Sequence, residues 1–249
     1  MAKVQLLPWL WGAIGVAALI AMLVLTPLSL AGLLAGVAYV LASTLLLSVG
    51  IARRGMTRLG AANAATATRS LLVGLVTSLV VTSFTQPVPL PLLIGLAVVA
   101  LLLDGVDGWL ARRFGAESPL GARFDMEVDA YLMLALSVFD ARGLGWWIVA
   151  IGLMRYAFVA AGWVLPWLRG QLPPRYWRKI VTAVAGIALT LAATGWVSPP
   201  IGQIALGVAL LLLIESFGRD VIWLFRRRRS YRASHLQRLP AERLERNLD

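Results

Sequence analysis

The feature that most limits what this chain can become is its succession of apolar runs, at about 8–26, 28–51, 64–84, 88–110, 124–140, 144–165, 178–197 and 200–225. A helical run near 20 residues covers a hydrocarbon layer of about 30 Å, and a soluble domain has no use for eight of them in series. The breaks fall on proline, glycine or charge: Thr26-Pro27, Arg53-Arg54-Gly55, QPVPLP at 86–91, DARGLG at 140–145, RGQLPPRYWRK at 169–179 and SPP at 198–200. Connections this short make successive helices antiparallel neighbours. The pattern predicts an all-α, polytopic membrane helical bundle, and a charged content of only 14% with a mean hydropathy of +0.80 agrees with it.

A net charge of +11 on a soluble protein would point to nucleic acid. Here the positions of the charges say otherwise. Alternate connections carry Lys3, then Arg53, Arg54 and Arg58, then Arg112, Arg113 and Arg123, then Arg169, Arg175, Arg178 and Lys179, then the arginine run 226–229, while the opposite side holds Arg142. By the positive-inside rule this predicts eight spans with both termini in the cytoplasm, in an inner membrane of bacterial type, and no nucleic-acid partner. Lys3 ahead of an apolar stretch resembles a signal peptide, but the stretch outruns a usual h-region and a second span follows at once. The chain has no cysteine, which excludes disulfides and thiolate ligands, and its one histidine, His235, lies in the polar tail. The ten tryptophans are read as interface anchors, and Gly32 and Gly36, at GxxxG spacing, as a site of close helix packing.

Against this apolar background, six of the twelve acidic residues fall within 26 positions: Asp104, Asp107, Glu117, Asp125, Glu127 and Asp129. Asp104 and Asp107 are spaced i,i+3 at the end of the fourth run; Asp125 and Asp129 are spaced i,i+4 at the start of the fifth. Each pair therefore shares a helix face, and a short turn lets the two faces meet. An aspartate at the centre of a membrane-spanning helix costs roughly 2.5–3.5 kcal/mol on insertion scales, less near the interface, and like charges add to that. Something cationic must compensate. Carboxylates without histidine or cysteine select hard ions such as Mg²⁺ or Mn²⁺, and four of them suffice for two ions about 3.5–4 Å apart, an arrangement suited to phosphoryl transfer. Gly108 and Gly121 leave room for a ligand beside the aspartates, and the planar fork of Arg112 suits phosphate oxygens.

Read in order, Asp104-x2-Asp107-Gly108-x2-Ala111-Arg112-x8-Gly121-x3-Asp125-x3-Asp129 resembles, position for position, the signature of the CDP-alcohol phosphatidyltransferase family. Asn63, Thr66 and Arg69, in NAATATR, resemble the Asn-x2-Thr-x2-Arg that often opens the first core helix of that family. The resemblance implies a six-helix core at 59–225, preceded by two extra N-terminal transmembrane helices with a cytoplasmic linker at 1–58 and followed by a basic cytoplasmic tail at 226–249. It also implies transfer of a phosphatidyl-type group from a CDP-linked lipid such as CDP-diacylglycerol to a small alcohol, with release of CMP, in phospholipid biosynthesis. Asp104, Asp107, Asp125 and Asp129 would then hold two Mg²⁺ or Mn²⁺ ions, with Asp129 as general base. Gly108, Ala111, Arg112 and Gly121, with Asn63, Thr66 and Arg69, would meet the nucleotide and diphosphate. A homodimer is expected by the same analogy.

Other features have plainer readings. Asn63 and Thr66 would serve equally as caps of a membrane helix. Glu117 and Glu127 fall off the motif and read as interfacial, as do Gly218, Arg219 and Asp220. Arg155 lies inside the sixth run, where an unpaired cation is expensive; it either partners a motif aspartate or joins Arg175, Arg178 and Lys179 in a basic pocket for an acceptor that carries phosphate. Two rival functions remain, a divalent-cation transporter and a catalytically silent scaffold of the same fold. A transporter would place its acids near the midplane rather than at one interface.

Overall fold

The computed structural model describes the backbone of residues 2–54, 61–114, 119–170, 172–173 and 175–245, and the side chains of 6–54, 64–105, 120–170, 172–173 and 175–228. The described residues form eight α-helices and no strand: α1 (Ala2–Leu25), α2 (Leu30–Arg53), α3 (Ala61–Thr82), α4 (Leu90–Phe114), α5 (Pro119–Leu144), α6 (Val149–Val164), α7 (Tyr176–Ala193) and α8 (Pro199–Glu245). Six are long and apolar enough to cross a membrane: α1, α2, α3, α6 with the 3-10 turn before it, α7, and α8 over Pro199–Arg228. The other two are α5 and α4, whose described side chains make a shorter apolar stretch, Leu90–Gly105. These are the helices that carry the aspartates, so part of their length is given to charge rather than to lipid.

Local chemistry sets the helix ends. At the start of α2, Ser29 Oγ accepts the backbone N–H of Gly32 at 3.0 Å, satisfying one of the donors a helix N-terminus leaves open. Pro119 and Pro199 each occupy the first position of a helix, where a missing N–H is harmless. DARGLG does not break the chain where the sequence placed the break. Asp140 and Arg142 continue α5 to Leu144, because nothing before Gly145 resists helical dihedrals; Gly145, with φ of 118°, makes the turn. The arginine run at 226–229 likewise does not end α8, whose backbone stays helical to Glu245.

α3 is the most buried of the six apolar spans. It packs against α1, α2, α4 and α5, while α5 also meets α6 and α7, and α7 pairs with α8. The α2–α3 crossing is close because glycines remove the side chains between the backbones. A Cβ on Gly32 would lie 2.5 Å from the Ser78 carbonyl oxygen, and one on Gly36 would lie 3.0 Å from the Gly74 carbonyl oxygen. The GxxxG spacing thus marks a real contact. Thr82 Oγ1 accepts from the Ser29 backbone N–H at 3.2 Å and from Ser29 Oγ at 3.3 Å, tying the start of α2 to the end of α3. At the other end of α3, Trp11 of α1 donates its indole N–H to the Ala64 carbonyl at 3.3 Å.

Candidate active site

The site forms where α3, α4 and α5 converge. Arg69 sits on α3 with no solvent exposure, and its Nη1 donates to Asp104 Oδ1 of α4 at 2.5 Å. Its Nη2 pairs with Asp125 Oδ1, reaches the Asp125 carbonyl oxygen at 3.3 Å, and lies 3.0 Å from Asp129 Oδ1, both aspartates being on α5. One planar guanidinium therefore forks onto three carboxylates from two other helices, a geometry that a single ammonium could not reproduce.

Carboxylate oxygens of Asp104, Asp125 and Asp129 lie within 4.8 Å of one another, so they converge as the spacing required. Their side chains keep 41%, 32% and 29% of their exposure, against none for Arg69. The cluster is closed on the arginine side and open on the other. Three hard oxygen donors with no nitrogen or sulfur among them fit a Mg²⁺- or Mn²⁺-like ion. If all three are ionised, their pairing with one guanidinium leaves two negative charges, which one dication balances.

The remaining residues of the motif are partly outside this description. Asp107, Gly108, Ala111 and Arg112 lie in the backbone of α4, and Asn63 in that of α3, but their side chains are outside the described residues, as is Glu117 altogether. Thr66 is buried one turn before Arg69, and Gly121 lies on α5 one turn before Asp125. Because Asn63 and Thr66 both fall within α3, neither caps it. Arg69, read from the sequence as a diphosphate contact, is held by the aspartates themselves.

The four basic residues grouped as an acceptor pocket separate into three settings. Arg155 of α6 pairs with Glu127 rather than with a motif aspartate, and approaches Met126 Sδ at 4.0 Å. Arg178 Nη1 donates to Asp220 Oδ2 at 3.1 Å, and Arg175 Nη1 lies 3.6 Å from Asp220 Oδ1. Lys179 of α7 is exposed and lies within electrostatic range of Asp125. Asp220, expected at the interface, is instead only 3% exposed, because α7 folds back on α8 and covers it. Asp140 was not singled out in the sequence. It is buried on α5, and its Oδ2 has no hydrogen-bond partner among the described residues. A lone acid at the end of the fifth apolar run was the signal available for Asp140.

The family model for CDP-alcohol phosphatidyltransferase matches residues 59–214, more than half of the chain, from just before α3 into α8. No curated protein matches the chain. The match falls on the segment whose helices bring the aspartates together and leaves α1 and α2 outside it. The chain belongs to the CDP-alcohol phosphatidyltransferase family, in which a phosphatidyl-type group passes from a CDP-linked alcohol within a membrane protein.

Proposed function

We propose that this protein transfers a phosphatidyl or similar phospho-lipid group from a CDP-linked lipid, such as CDP-diacylglycerol, to a small alcohol and releases CMP. The observation that carries the reading is the convergence of Asp104, Asp125 and Asp129 on one guanidinium at the end of the apolar part of α4. A donor with acyl chains can keep them in the bilayer while its diphosphate reaches the carboxylates. Acids placed at one end of the bundle, rather than at its middle, favour this reading over a cation transporter.

Asp104, Asp125 and Asp129, with Asp107, would hold one or two Mg²⁺ or Mn²⁺ ions, which would neutralise the diphosphate and make phosphorus more electrophilic. The acceptor hydroxyl oxygen forms a bond to the phosphorus that bears the lipid, the bond from that phosphorus to the CMP oxygen breaks, and CMP leaves with the electron pair. Asp129 takes the hydroxyl proton, which requires approach to about 3 Å. Arg69 fixes the side-chain directions of the three carboxylates, so little reorganisation accompanies the reaction. By the family resemblance, Gly108, Ala111, Arg112 and Gly121, with Asn63 and Thr66, would meet the nucleotide and diphosphate. The basic clusters at this end support a cytoplasmic orientation of the site and of both termini.

The test uses the full chain purified in detergent with Mg²⁺ or Mn²⁺, CDP-diacylglycerol, and glycerol 3-phosphate, inositol, inositol phosphate, serine or choline as acceptor. CMP release is expected with one acceptor, and loss of it is expected in Asp129→Asn and on chelation of the metal. Nucleotide binding with no turnover on any acceptor would favour the scaffold, and ion flux in liposomes the transporter.

A further inference from the structure

Helices α1 and α2 lie outside the segment matched by the family, yet they are not an appendage. α2 makes extensive contact with α3, the helix that carries Arg69, and the two backbones meet through Gly32, Gly36 and Gly74. From α2, Tyr39 reaches beyond α3 to α5. Its ring lies 4.3 Å from that of Tyr131, centroid to centroid, at an interplanar angle of 32°. Its phenol lies beside Ser70 and within electrostatic range of Arg69.

The positions of these contacts matter. Ser70 follows Arg69 directly on α3, and Tyr131 follows Asp129 by two residues on α5. Successive helical residues are turned by about 100°, so Ser70 stands one step round α3 from Arg69, whereas Tyr131 stands about 200° round α5 from Asp129, and Tyr39 holds α5 on the side away from its carboxylates. If either helix rotated, it would displace an ionic group and a Tyr39 contact together. Trp11 of α1 adds a second hold on α3, at the Ala64 carbonyl five residues before Arg69. Hydrogen bonds from one guanidinium to Asp104 of α4 and Asp125 of α5 tolerate little rotation of either helix before they weaken.

We propose that Tyr39, supplied by the N-terminal hairpin, is a positioning residue for the transfer reaction: it fixes α3 against α5 so that Arg69 and the aspartates of α5 meet. The proposal rests on reading the aspartate cluster as the catalytic centre, and it gives α1 and α2 a part in catalysis instead of packing or assembly alone.

The chain has no cysteine, so single cysteines at the exposed positions Thr68 of α3 and Ala122 of α5 can carry nitroxides without further engineering. In full-length protein reconstituted in nanodiscs, Tyr39→Leu should broaden the Thr68–Ala122 distance distribution, weaken Mn²⁺ binding at least fivefold, and lower kcat about tenfold with KM for the lipid donor within twofold. Tyr39→Phe, which keeps the ring, should restore all of these. Leu46→Ala, on the lipid-exposed face of α2, should match the parent.

An unchanged distance distribution or unchanged Mn²⁺ affinity in Tyr39→Leu would overturn the proposal, as would an equal effect of Leu46→Ala. If Tyr39→Leu does not fold, Tyr131→Leu removes the same contact from α5 and is read in the same way; failure of both to fold would mark the contact as structural only and also overturn it. The distance and Mn²⁺ readouts need no turnover. A chain that binds Mn²⁺ but releases no CMP would refute the transferase reading while still deciding what Tyr39 does to the site.

Discussion

Nη2 of Arg69 lies 3.0 Å from Oδ1 of Asp129, although Arg69 is wholly shielded from solvent and Asp129 stands on another helix. Burying a guanidinium carries a large desolvation penalty, and here it is offset by carboxylates of Asp104, Asp125 and Asp129 together. The arrangement is therefore fragile in one direction. Removing the cation leaves three like charges facing one another with nothing between them.

Arg69→Ala is expected to destabilise the protein by about 1–3 kcal/mol, less than the cost of stranding a fully buried charge, because the three carboxylates left behind are each about a third exposed. Arg69→Lys should lose less, because an ammonium keeps the charge but cannot fork to three acceptors. Adding Asp129→Asn to Arg69→Ala should recover part of the loss, since it removes one of the repelling charges. Denaturant unfolding in detergent measures all three, and a wild-type midpoint for Arg69→Ala would show that the ion pairs contribute nothing.

Arg155 offers a separate test of how an acceptor is recognised. It is tied to Glu127, which lies two residues, or about 200° of helix rotation, from both Asp125 and Asp129, so an acceptor would have to draw its guanidinium off Glu127 toward the carboxylates. Arg155→Ala should raise KM for a phosphorylated acceptor about tenfold and leave KM for the lipid donor within twofold. Glu127→Gln should act oppositely on the acceptor, because it removes the carboxylate that competes for the same guanidinium. Equal changes for donor and acceptor in steady-state CMP release would exclude a role for Arg155 in acceptor binding.

Much of this was legible in the residues because the bilayer imposes a coarse and strict code. Runs of about 20 apolar residues have few alternatives to membrane helices, and the i,i+3 and i,i+4 spacings of the aspartates decide which faces they share. Arg69 shows where that code stops. It lies 35 residues from Asp104 and 56 from Asp125, and no local pattern says that three helices will turn those faces inward together. Asp220 shows the same limit, since its burial depends on α7 folding back over α8. The ends of α5 and α8 were missed for another reason: a charged residue stops a hydropathy run, but it does not stop a helix.

The glycines at the α2–α3 crossing give a stability test independent of chemistry. A Cβ on Gly32 would press on the Ser78 carbonyl, which is backbone and cannot turn aside, whereas Gly95 has nothing within 4 Å of where its Cβ would stand. Gly32→Ala should cost about 1–3 kcal/mol, as overpacking does, and Gly95→Ala should unfold with the wild type. Similar midpoints for the two variants would mean that the crossing relaxes without penalty.

At the other end of the basic group, deletion of either partner should have unequal effects. Asp220 is almost fully buried on α8, with Arg178 and Arg175 from the α7 side each about a third exposed. If Asp220 becomes alanine, both guanidiniums can turn toward water, and the loss should be near 1 kcal/mol, as for partly solvated pairs. If Arg175 and Arg178 both become alanine, the carboxylate stays behind in an apolar contact with no cation, and the loss should approach about 3 kcal/mol. Adding Asp220→Ala to that double variant should then restore stability, because it removes the stranded charge. Unfolding midpoints of the three proteins give the order directly. The double arginine variant must be the least stable of them, and an order with Asp220→Ala lowest would mean that the buried carboxylate is satisfied without its arginines.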